Sequence, residues 1–155
     1  MSVAVRPEAP GDRAAVRRVV EAAFGRPEEA DLVDALREDE SWQLSLVAEA
    51  DGEVVGHLLF TRASGGLTAL APLSVLPAHQ RAGVGAALMR EGLSRIEGPI
   101  VLLGHPEYYP RFGFRPAAPL GLANAWKVDG PAWMIRGEAP PGLVVFAPPF
   151  AALGE

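Results

Sequence analysis

Apolar residues recur at Val16, Val19, Val20, Ala23 and Phe24, the spacing of one helix face. Asp12, after Pro10-Gly11, is placed to cap this helix, and Gly25 and Pro27 end it. A second helix is expected next, with Ala30, Leu32, Val33 and Leu36 turned inward and Glu28, Glu29, Asp34 and Arg37 outward. The period then shortens. Residues 3–6 read as a first strand, and residues 44–50 and 53–61 as two more, joined by Asp51-Gly52 in a hairpin. Alternation in the later strand puts Glu53, Val55, His57, Leu59 and Thr61 on one face and Val54, Leu58 and Phe60 on the other. Residues 67–75 form a third apolar run, in which Pro72 implies a bulge or an edge.

Residues 83–96 are helical by the same criterion, with Val84, Ala87, Leu88, Glu91 and Leu93 near one side. A short, wholly apolar strand follows at 100–103, then a turn with a short helix over 105–114. Short strands are expected around 120–126, 132–136 and 143–147. This succession describes an α/β chain, in the mixed α+β sense, built around one mixed sheet. Its 155 residues favour a single domain over 1–155, with a core about 3–116 and C-terminal strands and tail over 117–155.

Composition narrows the chemistry. With no cysteine, the chain has no disulfide framework, thiolate nucleophile or Cys-ligated zinc. His57, His79 and His105 lack metal-site spacing, so no metal is expected. The net charge of −5 comes without a basic stripe, which argues against a nucleic-acid partner. No signal-peptide pattern opens the sequence and no apolar run approaches a membrane span. A cytoplasmic enzyme or binding protein, free of membrane, is the expectation.

The first candidate site is the run Gln80-Arg81-Ala82-Gly83-Val84-Gly85-Ala86, between an apolar strand and a helix. Small residues admit a ligand close to the backbone, and a helix start offers free N–H groups and the positive end of its dipole. A phosphate or pyrophosphate suits such a place, although an isolated Gly-x-Gly is more often a packed helix start. A P-loop would need Gly-Lys-Ser/Thr, and no lysine precedes Lys127. A Rossmann fingerprint would need a third glycine where Leu88 stands.

Gln-x-x-Gly-x-Gly after a strand ending Val-x-Pro resembles the acyl-CoA pyrophosphate loop of GNAT acetyltransferases. The unbroken run 73–89 fits that pattern. The resemblance implies a GNAT-like, mostly antiparallel mixed sheet with flanking helices and a splayed cleft for acetyl-CoA. The backbone around Leu73, Ser74 and Val75 would pair with the pantetheine arm, and the loop 81–86 would hold the pyrophosphate. A second segment, His105-Pro106-Glu107-Tyr108-Tyr109-Pro110-Arg111-Phe112-Gly113-Phe114, follows the next strand. On the family pattern Tyr-x-x-x-Gly-Phe, Tyr109, Gly113 and Phe114 fall in register. The role implied for Tyr109 is to protonate the departing CoA thiolate. Together with Val-Gly-His-Leu-Leu-Phe at 55–60 and Pro148-Pro149-Phe150, the chain looks like the predicted bacterial acetyltransferases of the YhbS type over nearly its whole length.

The resemblance implies transfer of acetyl to a primary amine by direct attack. Backbone N–H groups near Ser74 and Val75 would polarise the thioester oxygen. The base is open between His57, Glu49, Glu107 and a water chain. Trp42, Trp126 and Trp133 read as core or interface, or Trp126, Trp133, Met134 and Phe150 wall an acceptor pocket. The acceptor, a small-molecule or peptide amine, is not encoded in any motif, and a homodimer is compatible with the pattern. The competing reading is an acyl-CoA-binding sensor or interaction module without turnover, which needs the glycine loop but no acid.

Overall fold

The computed structural model describes residues 2–153. Strand β1 (Val3–Pro7) leads through a tight turn into helices α1 (Arg13–Phe24) and α2 (Glu28–Arg37). The hairpin β2 (Trp42–Ala50) and β3 (Glu53–Arg62) turns at Asp51 and Gly52. Both have positive φ, as the favoured two-residue hairpin turn requires. Next come β4 (Thr68–Val75), α3 (Val84–Arg95) and β5 (Ile100–Leu103). The C-terminal third carries β6 (Arg115–Pro116), β7 (Leu122–Asn124), β8 (Trp133–Arg136) and β9 (Gly142–Val144), then a 3-10 segment, Pro148–Leu153.

Seven strands form one sheet in the order β1-β2-β3-β4-β5-β8-β6. Every neighbouring pair is antiparallel except β4 and β5. Strands β7 and β9 make a separate parallel pair. Helices cover both faces. Val16, Val19 and Val20 of α1 and Leu32 and Leu36 of α2 pack on Val47 and Leu59. On the opposite face Val84, Leu88 and Met89 of α3 pack on Leu46, Ala48, Leu58 and Phe60. Each fully buried side chain of this size contributes about 1.5–3 kcal/mol. Gly56 lets α3 sit this close, since a Cβ there would lie 2.8 Å from Val84 Cγ1.

Several expectations are corrected by this architecture. Simple alternation fails at the start of β3, where Ala48 pairs with Gly56 but Glu49 with Val54. The extra residue reverses the faces, so Val55 joins the α3 side and Val54 the α1–α2 side with Leu59. Pro72, by contrast, lies as expected on a stretch of β4 that, among the described residues, is free on one side, beyond its pairing with β5. It sits in a bulge, because Leu58 pairs with Leu73 while Phe60 pairs with Leu70. Asp12 stands at the α1 N-cap but gives its carboxylate to the Ala9 N–H, 2.7 Å away, and to Arg6, not to the helix. Glu91, placed inward by its spacing, instead pairs with Arg95 at 2.7 Å on the outside of α3, and Gly92 is buried in its place. On α2, Glu29 and Arg37 do not face water as polarity suggested. Glu29 is only 5% exposed, and the Arg37 side chain only 11%. The short strand β6 carries no periodic signal and was not expected.

Candidate active site

The strands β4 and β5 touch only at Thr68–Ile100 and Ala69–Val101. From Leu70 onward, among the described residues, β4 has no strand partner on that side, so its backbone polar groups face an opening. The same end of β4 leads through 77–83 to the N-terminus of α3. A cavity of about 900 Å³ runs along this opening, lined by Leu73, Val75, Gln80, Arg81, Gly83 and Gly85 and reaching Tyr108 and Tyr109.

Arg81 (φ 63°) and Gly83 (φ 85°) both adopt left-handed backbone, a geometry that gathers successive amides into anion-binding concavities. Gly83 is the residue before the first turn of α3, and the amides of that turn have no acceptor within the helix. Gln80 ties the loop back, donating from Nε2 to the Val75 carbonyl at 3.1 Å. Gly85 has no room for a side chain: a Cβ would lie 2.9 Å from the Tyr108 hydroxyl. Ala86 also lines the cavity. Of the loop candidates, Val84 turns its side chain into the core, 1% exposed, so only its backbone faces the loop; Ala82 is exposed beside it. Ser74 likewise buries its side chain, 1% exposed, away from the lining. Ser74 therefore meets the opening only through backbone, whereas Leu73 and Val75 line it directly.

A second cavity of about 530 Å³ adjoins the first, and Phe24, Leu73, His105 and Tyr109 line both. Its remaining wall includes Leu70, Pro72, Trp126, Phe146 and Phe150. Tyr109 thus stands at the junction. Its ring is held edge-on against Tyr108 at 5.1 Å and Phe114 at 6.0 Å. Gly104, at the end of β5, makes room for that ring: a Cβ there would lie 2.5 Å from Tyr109 Cε2. Gly104 directly precedes the His105–Phe114 segment, and the sequence assigned it no role of its own. Burial, reinforced by Tyr108, pushes the Tyr109 phenol up to about 12, so it is protonated at neutral pH. Burial also raises Tyr108, against the nearby Arg111 and Arg90 charges. Arg111 stacks over the Tyr108 ring at 4.8 Å and lines the larger cavity.

The candidate bases separate clearly. His57 is fully buried and lines neither cavity. Its Nε2 lies 2.8 Å from Ser45 Oγ, which donates in turn to Glu8 Oε1 at 2.5 Å. Burial lowers the imidazole below its ordinary value, outweighing Glu8. The ring is therefore a neutral member of a structural network, not a cleft base. Glu49 is engaged by Arg6, its Oε1 accepting from Nε at 2.7 Å, and lies at the far side of the sheet. Glu107 lines the larger cavity and is largely exposed. Trp126 and Phe150 wall the smaller cavity, whereas Trp133 and Met134 are buried in the core. Glu29 also lines the smaller cavity, and sequence reasoning missed it by placing it on the solvent face.

Comparison with known proteins adds to this geometry. The family described as "Acetyltransferase (GNAT) domain" matches residues 41–116, the segment from β2 through the glycine loop to β6. The chain is 47% identical over 120 residues to the uncharacterized N-acetyltransferase YjhQ of Escherichia coli K12, covering 69% of this chain. It is 32% identical over 142 residues to the uncharacterized N-acetyltransferase YhbS of the same strain, covering 85% of each. The chain belongs to the GNAT family of N-acetyltransferases. The match takes in 66%, just under two thirds, of YjhQ.

Among solved GNAT structures, Escherichia coli YhbS in complex with CoA superposes with a TM-score of 0.90 at 30% identity, covering 96% of this chain and 92% of that one. A GNAT acetyltransferase from Brucella melitensis in complex with acetyl-CoA superposes with a TM-score of 0.82 at 36% identity, covering 96% and 98%. The splayed β4–β5 pair, the loop before α3 and the mostly antiparallel sheet are thus the GNAT fold.

Proposed function

We propose that this GNAT protein transfers acetyl from acetyl-CoA to the primary amine of an acceptor by direct attack. One observation carries the reading: Tyr109 stands where a cleft suited to acetyl-CoA meets a second cavity. The bound CoA of YhbS and the bound acetyl-CoA of the Brucella protein support acetyl-CoA as the occupant of the larger cavity. Gln80 fixes the loop, and the amides from Arg81 to Ala86 receive the pyrophosphate. Arg81 and Arg111 are the cations lining that cavity. The β4 backbone around Leu73, Ser74 and Val75 pairs with the pantetheine arm, and its N–H groups polarise the thioester carbonyl.

Chemistry follows from placing two reactants on either side of one phenol. The acceptor nitrogen, once neutral, forms the C–N bond, and the C–S bond breaks as the tetrahedral intermediate collapses. Tyr109 donates its proton to the departing sulfur and recovers one from the acylated nitrogen. Tyr109 carries its proton at neutral pH, as a donor to the leaving sulfur must. Holding both reactants in line supplies several kcal/mol, up to about 7–11 in ideal cases. The test is release of CoA thiol from acetyl-CoA against a library of amines, with mass spectrometry of the amine. Amine-dependent thiol release with an equal yield of acetylated amine is expected. Acetyl-CoA binding without turnover on any amine would instead identify a binding module.

A further inference from the structure

The smaller cavity has a composition that selects its guest. Phe24, Leu32, Trp126, Phe146 and Phe150 make its wall largely apolar and aromatic. Trp126 and Phe150 each meet Phe146 edge-on, at 5.1 and 5.3 Å between ring centroids, so these rings form one braced surface. Among the described residues, one carboxylate stands in that wall, that of Glu29, 5% exposed in the first turn of α2.

A buried carboxylate is costly unless it is paired. Arg26 supplies much of the pairing: its Nε donates to Oε1 at 2.9 Å and to Oε2 at 3.2 Å, and its NH2 to Oε2 at 2.5 Å. Arg26 is itself 53% exposed and sits on the outer side. A carboxylate accepts about four hydrogen bonds and Arg26 supplies three, so about one is left for a guest in the cavity that Glu29 lines. An apolar chamber with one negative group in its wall complements an ammonium carried on an apolar body. Aromatic faces add to that preference through their attraction for cations. The same cavity ends at Leu73 and Tyr109, where the acetyl group is delivered under the reading above.

We propose that the acceptor is a small apolar or aromatic primary amine, and that Glu29 is its specificity-determining residue, drawing the ammonium into the cavity. This rests on the acetyltransferase reading. The volume of about 530 Å³ is that of a small-molecule site. The carboxylate gathers the protonated amine, which must then release a proton to solvent before attack. The second nitrogen proton leaves with the sulfur through Tyr109.

The experiment compares kcat/KM for acetyl transfer to phenethylamine, tryptamine and hexylamine with that for spermidine, ethanolamine and a lysine-containing peptide. The apolar amines should exceed the polar ones by about ten-fold or more. Glu29→Gln should raise KM for the apolar amines about ten-fold, leave kcat within about three-fold, and leave acetyl-CoA affinity unchanged. Trp126→Ala should erase the preference for apolar amines. The amine panel on the parent enzyme keeps the test decisive even where a variant does not fold. Preference for polar amines, or an unchanged KM in folded Glu29→Gln, overturns the assignment while leaving the acetyltransferase intact. Failure of every amine with acetyl-CoA still bound overturns both.

Discussion

Replacing Gly104 with alanine probes the phenol without touching it. The added Cβ would fall 2.5 Å from Tyr109 Cε2, 3.1 Å from Cδ2 and 3.4 Å from Leu102 Cδ1. Carbon atoms in contact prefer about 3.5–4.0 Å, so the ring must retreat by about 1 Å. Tyr108 and Phe114 brace two sides of the ring, so it must move toward the cavities it lines, out of its present position. Overpacking of this kind costs about 1–3 kcal/mol, or roughly 2–12 °C in Tm for a chain of this size. A displacement of about 1 Å at a reacting group costs on the order of 100-fold in rate. The assay is single-turnover acetyl transfer, alongside acetyl-CoA affinity and thermal unfolding. Gly104→Ala should lower the transfer rate 10- to 100-fold, while affinity changes less, because Gly104 lines the smaller cavity and not the larger one. In a Tyr109→Phe background the same change should cost far less in rate. A parental transfer rate in folded Gly104→Ala, or full additivity with Tyr109→Phe, would refute the reasoning.

Tyr109→Phe should slow acetyl transfer about 100- to 10,000-fold with little change in acetyl-CoA affinity. Tyr108→Phe, whose hydroxyl packs against Gly85, should not slow transfer; single-turnover rates distinguish them, and a reversed order would mean the acid is Tyr108. Stability should fall as pH drops below about 6.5. Burial depresses His57, so the stability held by the neutral ring is complete above its ordinary value and is lost as pH falls through the lower folded value. Burial acts to raise Glu8, but His57 at 3.6 Å and hydrogen bonds from Ser45 and Arg37 win and bring it down to about 2. Its contribution is complete above about 4.5 and is lost toward pH 2. Thermal unfolding at pH 7.5 and 5.0 checks the first stage: the parent should lose Tm between the two, His57→Gln should lose less, and equal losses would contradict the assignment.

Local patterns made much of this molecule legible. The Asp51-Gly52 hairpin, the helical period of α1 and α2, and the glycine loop before α3 each depend on residues close in sequence, and each lies where that spacing implied. The position of Tyr109 beside the cleft was legible because its register with Gly113 and Phe114 is also local. What was not legible depends on contacts between distant segments. Glu29 reads as a solvent-facing charge on an amphipathic helix, and its burial comes with the C-terminal segment around Ala147 and Phe150, which packs against α2. His57 alternates correctly with Leu59, but alternation cannot say that α1 and α2 cover that face. The bulge at Val55 carries no sequence mark, and it exchanges the faces assigned to Val54 and Val55. Gly104 is one glycine among 17. Only the position of the Tyr109 ring reveals why a side chain there would intrude.

The most direct test of an acyl-CoA site between β4, β5 and the start of α3 is calorimetric titration with acetyl-CoA, comparing the parent with Gly83→Glu. Gly83 has φ 85° with open space where a Cβ would stand, so a glutamate projects into the region assigned to the pyrophosphate and adds like charge. Circular dichroism shows whether the variant keeps its fold. The parent should bind one acetyl-CoA per chain, and folded Gly83→Glu should bind at least ten-fold more weakly. Absence of binding by the parent, or parental affinity in the folded variant, would contradict the account.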